Sequence, residues 1–256
     1  MKSIDSALKG LYFFIKQSYL YIHERLYTKK IEDTKTIPII INNFNRYTFL
    51  RDLIDSLEIR GYKNIYIIDN NSTYPKLLRY YDELPYKVFR LTENLGYLAL
   101  WKSNIYKQFK NQYFVYTDSD IVLSQCCPDD FLNHFYKLMR KYPRATKVGF
   151  ALSISDLPDC YQNKIKVISW ERNFWKKEIE KDVYKAPIDT TFALYRPNAK
   201  GPAYNHDFTL RVGGVYTAKH MPWYNDDKNL SDEEIYYIMH SKTSTHWTHE
   251  VQKVNS

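Results

Sequence analysis

The run Thr117-Asp-Ser-Asp120 places two carboxylates one residue apart, directly after the apolar segment Tyr113-Phe-Val-Tyr116. Carboxylate oxygens are hard ligands of the kind Mg2+ and Mn2+ prefer, so Asp118 and Asp120 at a strand end can hold a divalent cation. A cation so placed is a Lewis acid toward phosphate oxygens. An isolated pair of this spacing more often marks a solvated turn, and its surroundings have to decide. Three other polar clusters also follow apolar runs: Asn42-Asn-Phe-Asn-Arg46, Asp69-Asn-Asn-Ser-Thr73 and Glu93-Asn-Leu-Gly96. Aromatic residues make up 17% of the chain, with 25 Tyr, 13 Phe and 5 Trp. An indole face suits the apolar C–H surface of a sugar ring, although aromatics pack in cores more often than they bind. Among Trp170, Trp175, Trp223 and Tyr224, the sequence favours Trp223, because Pro222 and the polar residues around it read as an exposed loop.

The elements that must position these clusters alternate between short apolar runs and helical stretches, the pattern of βαβ units feeding a mainly parallel sheet. Strands are expected at 37–41, 65–68, 86–91 and 113–116, and helices at 48–60, 75–81 and through Trp101 and Ile105. In the first helix Leu50, Leu53, Ile54 and Leu57 share one face, and Gly61 follows its end. In open α/β sheets ligands bind at the carboxyl ends of the strands, where every one of these clusters falls. Beyond residue 146 the pattern is less regular, with strands expected at 148–152 and 191–195 and a helix at 232–239.

The ordered set NNFNR, DNNST, ENLG and TDSD resembles the nucleotide-binding half of family 2-like GT-A glycosyltransferases, over roughly residues 37–125. The resemblance implies an α/β fold of the GT-A (Rossmann-like nucleotide-diphospho-sugar transferase) type, a mixed, mainly parallel sheet flanked by helices. An N-terminal helical segment, 1–36, would precede a single domain, 37–256, with a nucleotide-binding half to 125 and an acceptor-binding half from 126. The activity implied is inverting transfer of a sugar from a UDP- or GDP-linked donor to a hydroxyl of a glycan or glycolipid, with Mn2+ or Mg2+ at Asp118 and Asp120. By position in the family pattern, Asn43, Arg46 and Asp69 would hold the nucleoside. The physics agrees: a carboxylate can accept from a pyrimidine N–H or a ribose hydroxyl, and an arginine suits a nucleotide's charge or ring face. Asn70-Asn71 stands where family members commonly carry Asp-Gly, which changes the turn and leaves base preference open.

Asn94 and Gly96 resemble an N-x-G element in which glycine lets backbone approach the donor; an asparagine capping the next helix reads the same way without a ligand. A carboxylate in the second half should deprotonate the acceptor hydroxyl. Asp189, in Ala186-Pro-Ile-Asp-Thr-Thr-Phe192, is the first choice, with Asp156, Asp159, Glu171, Asp226 and Asp227 as competitors. His220 corresponds to the late histidine that completes the metal shell in many GT-A enzymes, and imidazole is a sound Mn2+ ligand beside carboxylates. Lys219 and Arg211 offer positive charge to a diphosphate.

A net charge of +8 and a pI near 9.1 favour anionic partners. The basic residues are dispersed and no nucleic-acid-binding motif occurs, so nucleic acid is not expected. Cys126, Cys127 and Cys160 form neither a disulfide framework nor a metal-ligand spacing, which suits a reducing, cytoplasmic setting. Near the N-terminus the longest apolar run, Leu11 to Ile15, is broken by Lys16 and reads as neither a signal peptide nor a membrane span. Leu11, Phe14, Ile15, Tyr19 and Ile22 recur at helical spacing among Lys9, Lys16, Arg25, Lys29 and Lys30. The expected amphipathic helix either packs on the core or makes a peripheral contact at the inner face of a membrane. Two rival functions remain. A sugar-phosphate nucleotidyltransferase would carry a glycine-rich loop where this chain has NNFNR, and a catalytically silent GT-A-like carbohydrate-binding protein would keep the same fold.

Overall fold

The computed structural model describes residues 2–27, 30–199, 201 and 207–241, so Lys29 lies outside the described residues. The chain opens on a 26-residue helix, α1 (Lys2–Tyr27). Then come β1 (Ile39–Asn43), α2 (Thr48–Ile59), β2 (Ile65–Asp69), α3 (Pro75–Glu83), β3 (Lys87–Arg90), the short helices α4 (Ala99–Lys102) and α5 (Tyr106–Phe109), and β4 (Phe114–Asp118). The second half holds β5 (Ile121–Leu123), α6 (Phe131–Lys141), β6 (Lys147–Leu152), α7 (Lys164–Glu171), β7 (Glu178–Glu180), β8 (Val183–Lys185), β9 (Ala193–Tyr195), β10 (Thr209–His220) and α8 (Asp232–His240).

One ten-stranded sheet runs through both halves in the order β3-β2-β1-β4-β9-β6-β10-β8-β7, with β5 paired to β10. The first four strands are parallel to one another, and antiparallel pairs enter at β9. The sheet is therefore mixed: its first half is parallel throughout, and the second half sets one further parallel pair, β6 with β10, among antiparallel ones. Strands covered by helices on both faces must be apolar on both. Ile39, Ile40 and Ile41 accordingly have no exposure, and they alternate between two cores. Ile39 and Ile41 join Leu50, Leu53, Ile54 and Leu57 of α2, while Ile40 joins Leu100, Phe109 and Tyr116 on the other face.

Two departures from the expected elements have local causes. The helix expected through Trp101 and Ile105 is two pieces, because Ser103 adopts an extended backbone (φ −99°, ψ 166°) and its hydroxyl donates to the Leu100 carbonyl at 3.3 Å. A short polar side chain that bonds the backbone competes with helix continuation. No strand is expected at β10, which contains Gly213-Gly214. There the register against β6 shifts between Val212 and Thr217, and Gly214 sits at φ +62°. A Cβ at Gly213 would lie 2.8 Å from the Trp175 ring, so the close approach needs glycine. After this bulge the strand reaches β5, setting His220 opposite Ile121. All three cysteines are free.

Candidate functional site

β1 and β4 lie side by side with Asn42 opposite Asp118, so their polar tips share one edge of the sheet. Asn42 Nδ2 donates to Asp118 Oδ1 at 3.0 Å, and Asn70 Nδ2 donates to Asn42 Oδ1 at 2.6 Å and to the Gly96 carbonyl at 3.1 Å. Three of the four polar clusters are thus joined through the amide of Asn42, a residue to which the sequence alone assigns no role. Alternation along β1 was the available signal, since Asn42 and Asn43 must face opposite sides. Asn43 points into another network: it accepts from Ser119 Oγ at 2.6 Å and donates to the Tyr81 hydroxyl, which donates to Asp69 Oδ1 at 3.2 Å. Asp69 is buried, and burial raises its pKa against the lowering effect of Ser72 and Tyr81.

Asp118 is pushed well above the usual carboxylate range, first by burial and then by the neighbouring Asp120. The Thr190 hydroxyl donates to its Oδ2, and its own N–H donates to the Thr190 carbonyl at 3.0 Å. The loop carrying Asp189 is in this way stitched to the D-x-D strand. Asp189 Oδ1 accepts from Thr191 N at 3.0 Å and from Thr191 Oγ1 at 2.6 Å. Enclosure by protein pushes its pKa up, but Arg211, the Thr191 donors and Lys147 outweigh it and hold it below normal. The side chain nonetheless stays open to solvent, because the space around it is a cavity.

That cavity, about 80 Å³, is lined by Asp118, Asp120, Glu171, Asp189, Thr190, Thr191, His220, Trp170 and Trp223, with Ile121 and Leu152 beneath. His220 Nε2 lies 3.6 Å from Asp120 Oδ2, brought there by the β5–β10 pairing. Glu171 is buried and bound to Arg211 at 2.8 Å, and Arg211 Nε donates to the Pro187 carbonyl at 2.8 Å. Arg211 is therefore a brace behind Asp189 and Glu171. Of the expected competitors for the base, Glu171 alone lines the cavity. Asp156 is held by Lys219, Tyr224 and Ser153, Asp159 by Lys164, Asp226 by Asn229, and Asp227 by the Gln162 N–H.

The cavity gathers Asp118, Asp120, His220 and Asp189, and six other expected site residues, Asn43, Arg46, Asp69, Asn94, Gly96 and Lys219, lie off its wall. Asn43 and Asp69 are in the buried network just described. Arg46 is also buried, ion-paired with Glu234 of α8 and 3.5 Å beneath the Tyr237 ring. The same helix supplies Glu233, whose carboxylate accepts from Thr48 N at 2.9 Å and from Thr48 Oγ1 at 2.8 Å. A carboxylate at the positive end of α2 satisfies a donor that Tyr47 leaves open. Asn94 is exposed and accepts from the Gly96 N–H at 2.8 Å, closing a turn in which Gly96 needs φ +68°. Lys219 faces the other side of β10 from His220 and pairs with Asp156 at 2.5 Å. The expectation for Trp223 also changes: it is 3% exposed and packs on His220 with ring centroids 4.8 Å apart, whereas Trp170 is 58% exposed at the cavity mouth.

Residues 39–199 match the family model of glycosyl transferase family 2. The chain belongs to this family. No curated protein matches it. A family 2 glycosyltransferase uses a nucleotide-sugar donor and an acceptor, and the strand-tip site is where such a fold binds ligands.

Whether a cation fits can be tested on the donors themselves. Among the described residues no three His, Cys, Asp or Glu side chains form a ready-made metal cage. The donors suit a cation that takes further ligands from outside the chain, as Mg2+ does with substrate phosphates. Asp120 Oδ1 and His220 Nδ1 are buried without a hydrogen-bond partner among the described residues. Asp118 and Asp120 stand close enough to repel, which a dication would relieve.

Proposed function

We propose that this family 2 glycosyltransferase is a metal-dependent, inverting hexosyltransferase. On this reading it moves a sugar from a UDP- or GDP-linked donor to a hydroxyl of a glycan or glycolipid, in the manner of polysaccharide biosynthesis. The observation that carries the reading is the convergence of Asp118, Asp120, His220 and Asp189 on one cavity.

Asp120 and His220 would hold Mn2+ or Mg2+, with Asp118 joining through lone pairs left over after Asn42 and Thr190 have donated to it. When bound, the cation supplies Lewis-acid neutralisation of charge on the departing diphosphate. Asp189 acts as the general base. Arg211 and the Thr191 donors keep it ionised, so it can accept the proton of the acceptor hydroxyl as that oxygen attacks. Trp170 offers an indole face to the acceptor sugar at the rim. Gly96 leaves open space where a Cβ would stand, and the Asn70–Gly96 bond holds that turn against the D-x-D edge.

A thermal-shift comparison of nucleotide sugars with and without Mn2+ tests the metal assignment, because a ligand selective for the folded state raises its apparent stability. The wild type should be stabilised by donor only when Mn2+ is present, and Asp120→Ala should lose that response while melting normally on its own. Asp118→Ala should also melt earlier unliganded, by about 1–3 kcal/mol of stability, since the Asn42 and Thr190 donors lose their acceptor. A donor response that ignores both Mn2+ and the Asp120 substitution would refute the assignment.

A further inference from the structure

α1 has two unlike faces. One is tied to the body: Leu20 is buried, and Glu24, 2% exposed, forms ion pairs with Arg196 and, at 2.8 Å, with Arg140. Lys16 reaches Asp207 at 3.5 Å, and His23 Nδ1 lies 3.1 Å from Asn198 Nδ2. At 100° per residue, the opposite face carries Leu8, Leu11, Tyr12, Ile15, Tyr19 and Ile22, with Leu26 one turn on. Exposure along that stripe runs from 54% at Ile22 to 69% at Leu26. It is continuous over about 27 Å of helix, far more than the scattered single apolar residues a soluble surface ordinarily shows.

The charge around the stripe selects what covers it. Between Leu8 and Leu26 the only acidic residue is Glu24, which is buried and shared by two arginines. Arg25 flanks one edge, and Arg144 of the body lies 5.9 Å over the Phe14 ring on the same side, while Lys16 on the other edge is already answered by Asp207. The spacing of Leu8, Tyr12, Ile15, Tyr19, Ile22 and Leu26 alternates four and three, which would also suit a paired helix. A second copy, however, would meet the Arg25 and Arg144 edge with no acid from its own stripe, where Glu24 is buried. An anionic bilayer answers both features at once, taking the apolar arc at the headgroup boundary and the cations among lipid phosphates. No described helix is long and apolar enough to cross a membrane.

We infer that α1 is a peripheral membrane-docking helix that lays its Leu8–Leu26 stripe on an anionic lipid surface, holding the transferase body beside the bilayer. This rests on α1 and the Arg144 beside it and does not depend on the metal or base assignments. Co-sedimentation of the full chain with phosphatidylglycerol–phosphatidylcholine vesicles, against phosphatidylcholine vesicles, tests it. Binding should require the anionic lipid, weaken as salt rises, and fall at least about tenfold in Leu11→Ser/Ile15→Ser. Both residues are exposed, so that variant should melt like the wild type, and Ile59→Ser, more exposed still but on α2, should bind normally. Absence of vesicle binding, binding indifferent to the stripe substitutions, or a dimer in light scattering that the same substitutions dissolve would overturn the inference, the last in favour of a second copy.

Discussion

The two halves of the sheet treat their polar residues in opposite ways. In the parallel half, Asn42, Asn43, Arg46, Asp69 and Asn70 are bound to one another, to Tyr81, Asp118 and Ser119, or to α8. In the mixed half, Asp189, His220 and Trp170 stand on an open cavity, and their supports, Arg211 and Thr191, lie behind them. The first half is a preorganised frame that brings its D-x-D pair to the cavity, and the second half presents the other reactive ends. A frame should answer substitution with lost stability, and an open end with lost turnover.

The largest effect is therefore expected at Asp189. Asp189→Asn keeps the shape and one hydrogen-bond acceptor but removes the base, so transfer should fall about 10²–10⁴-fold while donor binding persists. Steady-state kinetics alongside the donor thermal shift separate the two quantities. Glu171 shares the cavity, yet its carboxylate is spent on Arg211, and Glu171→Gln should cost less turnover than Asp189→Asn. If the ranking came out reversed, the roles of the two carboxylates would have to be exchanged.

The frame is probed at Glu234, the partner of Arg46. Truncating one member of a buried pair leaves the other charge unanswered, so Glu234→Ala should destabilise the fold by about 3 kcal/mol in urea unfolding at neutral pH. A loss well below that, with donor binding changed instead, would make α8 a wall of the donor site and not part of the scaffold.

This division also explains what could be read from the sequence. Parallel strands buried on both faces leave unbroken apolar runs, so Ile37-Pro-Ile-Ile-Ile41, Ile65-Tyr-Ile-Ile68 and Tyr113-Phe-Val-Tyr116 are visible as strands, with polar clusters marking their ends. The D-x-D pair and its place at a strand tip came from that pattern. Of its strands the mixed half shows only β6 and β9, over the runs expected at 148–152 and 191–195; β10 carries two glycines at a bulge, and β7 and β8 are three residues each. Pairings distant in sequence were equally invisible. Nothing near Arg46 announces Glu234, 188 positions away, and nothing near Trp223 tells that His220 and the cavity wall will cover it. The buried Glu24 on α1 is legible only after the fact, because its two arginines lie more than a hundred residues downstream.

The smallest expected effect lies where the two halves meet, at Lys147. Its ammonium is fully enclosed, donating to the Asp189 carbonyl at 2.8 Å and to the Tyr195 hydroxyl at 3.1 Å. Burial pulls it down from 10.5 to about 7, with Asp189 opposing and Arg211 assisting that shift. Between those two values the unfolded chain holds a proton the folded chain has released, so stability should rise with pH across that window. From pH 7 to about pH 9 the wild type should gain on the order of 1–2 kcal/mol relative to Lys147→Met, which lacks the titrating group. Urea unfolding of both proteins at the two pH values gives the difference of slopes. Turnover of Lys147→Met at pH 7 should stay within a few-fold of wild type, because Arg211 and Thr191 still hold Asp189. Parallel slopes would mean that Lys147 is charged where it sits, and a large fall in turnover would move it from the frame to the reactive side of the cavity.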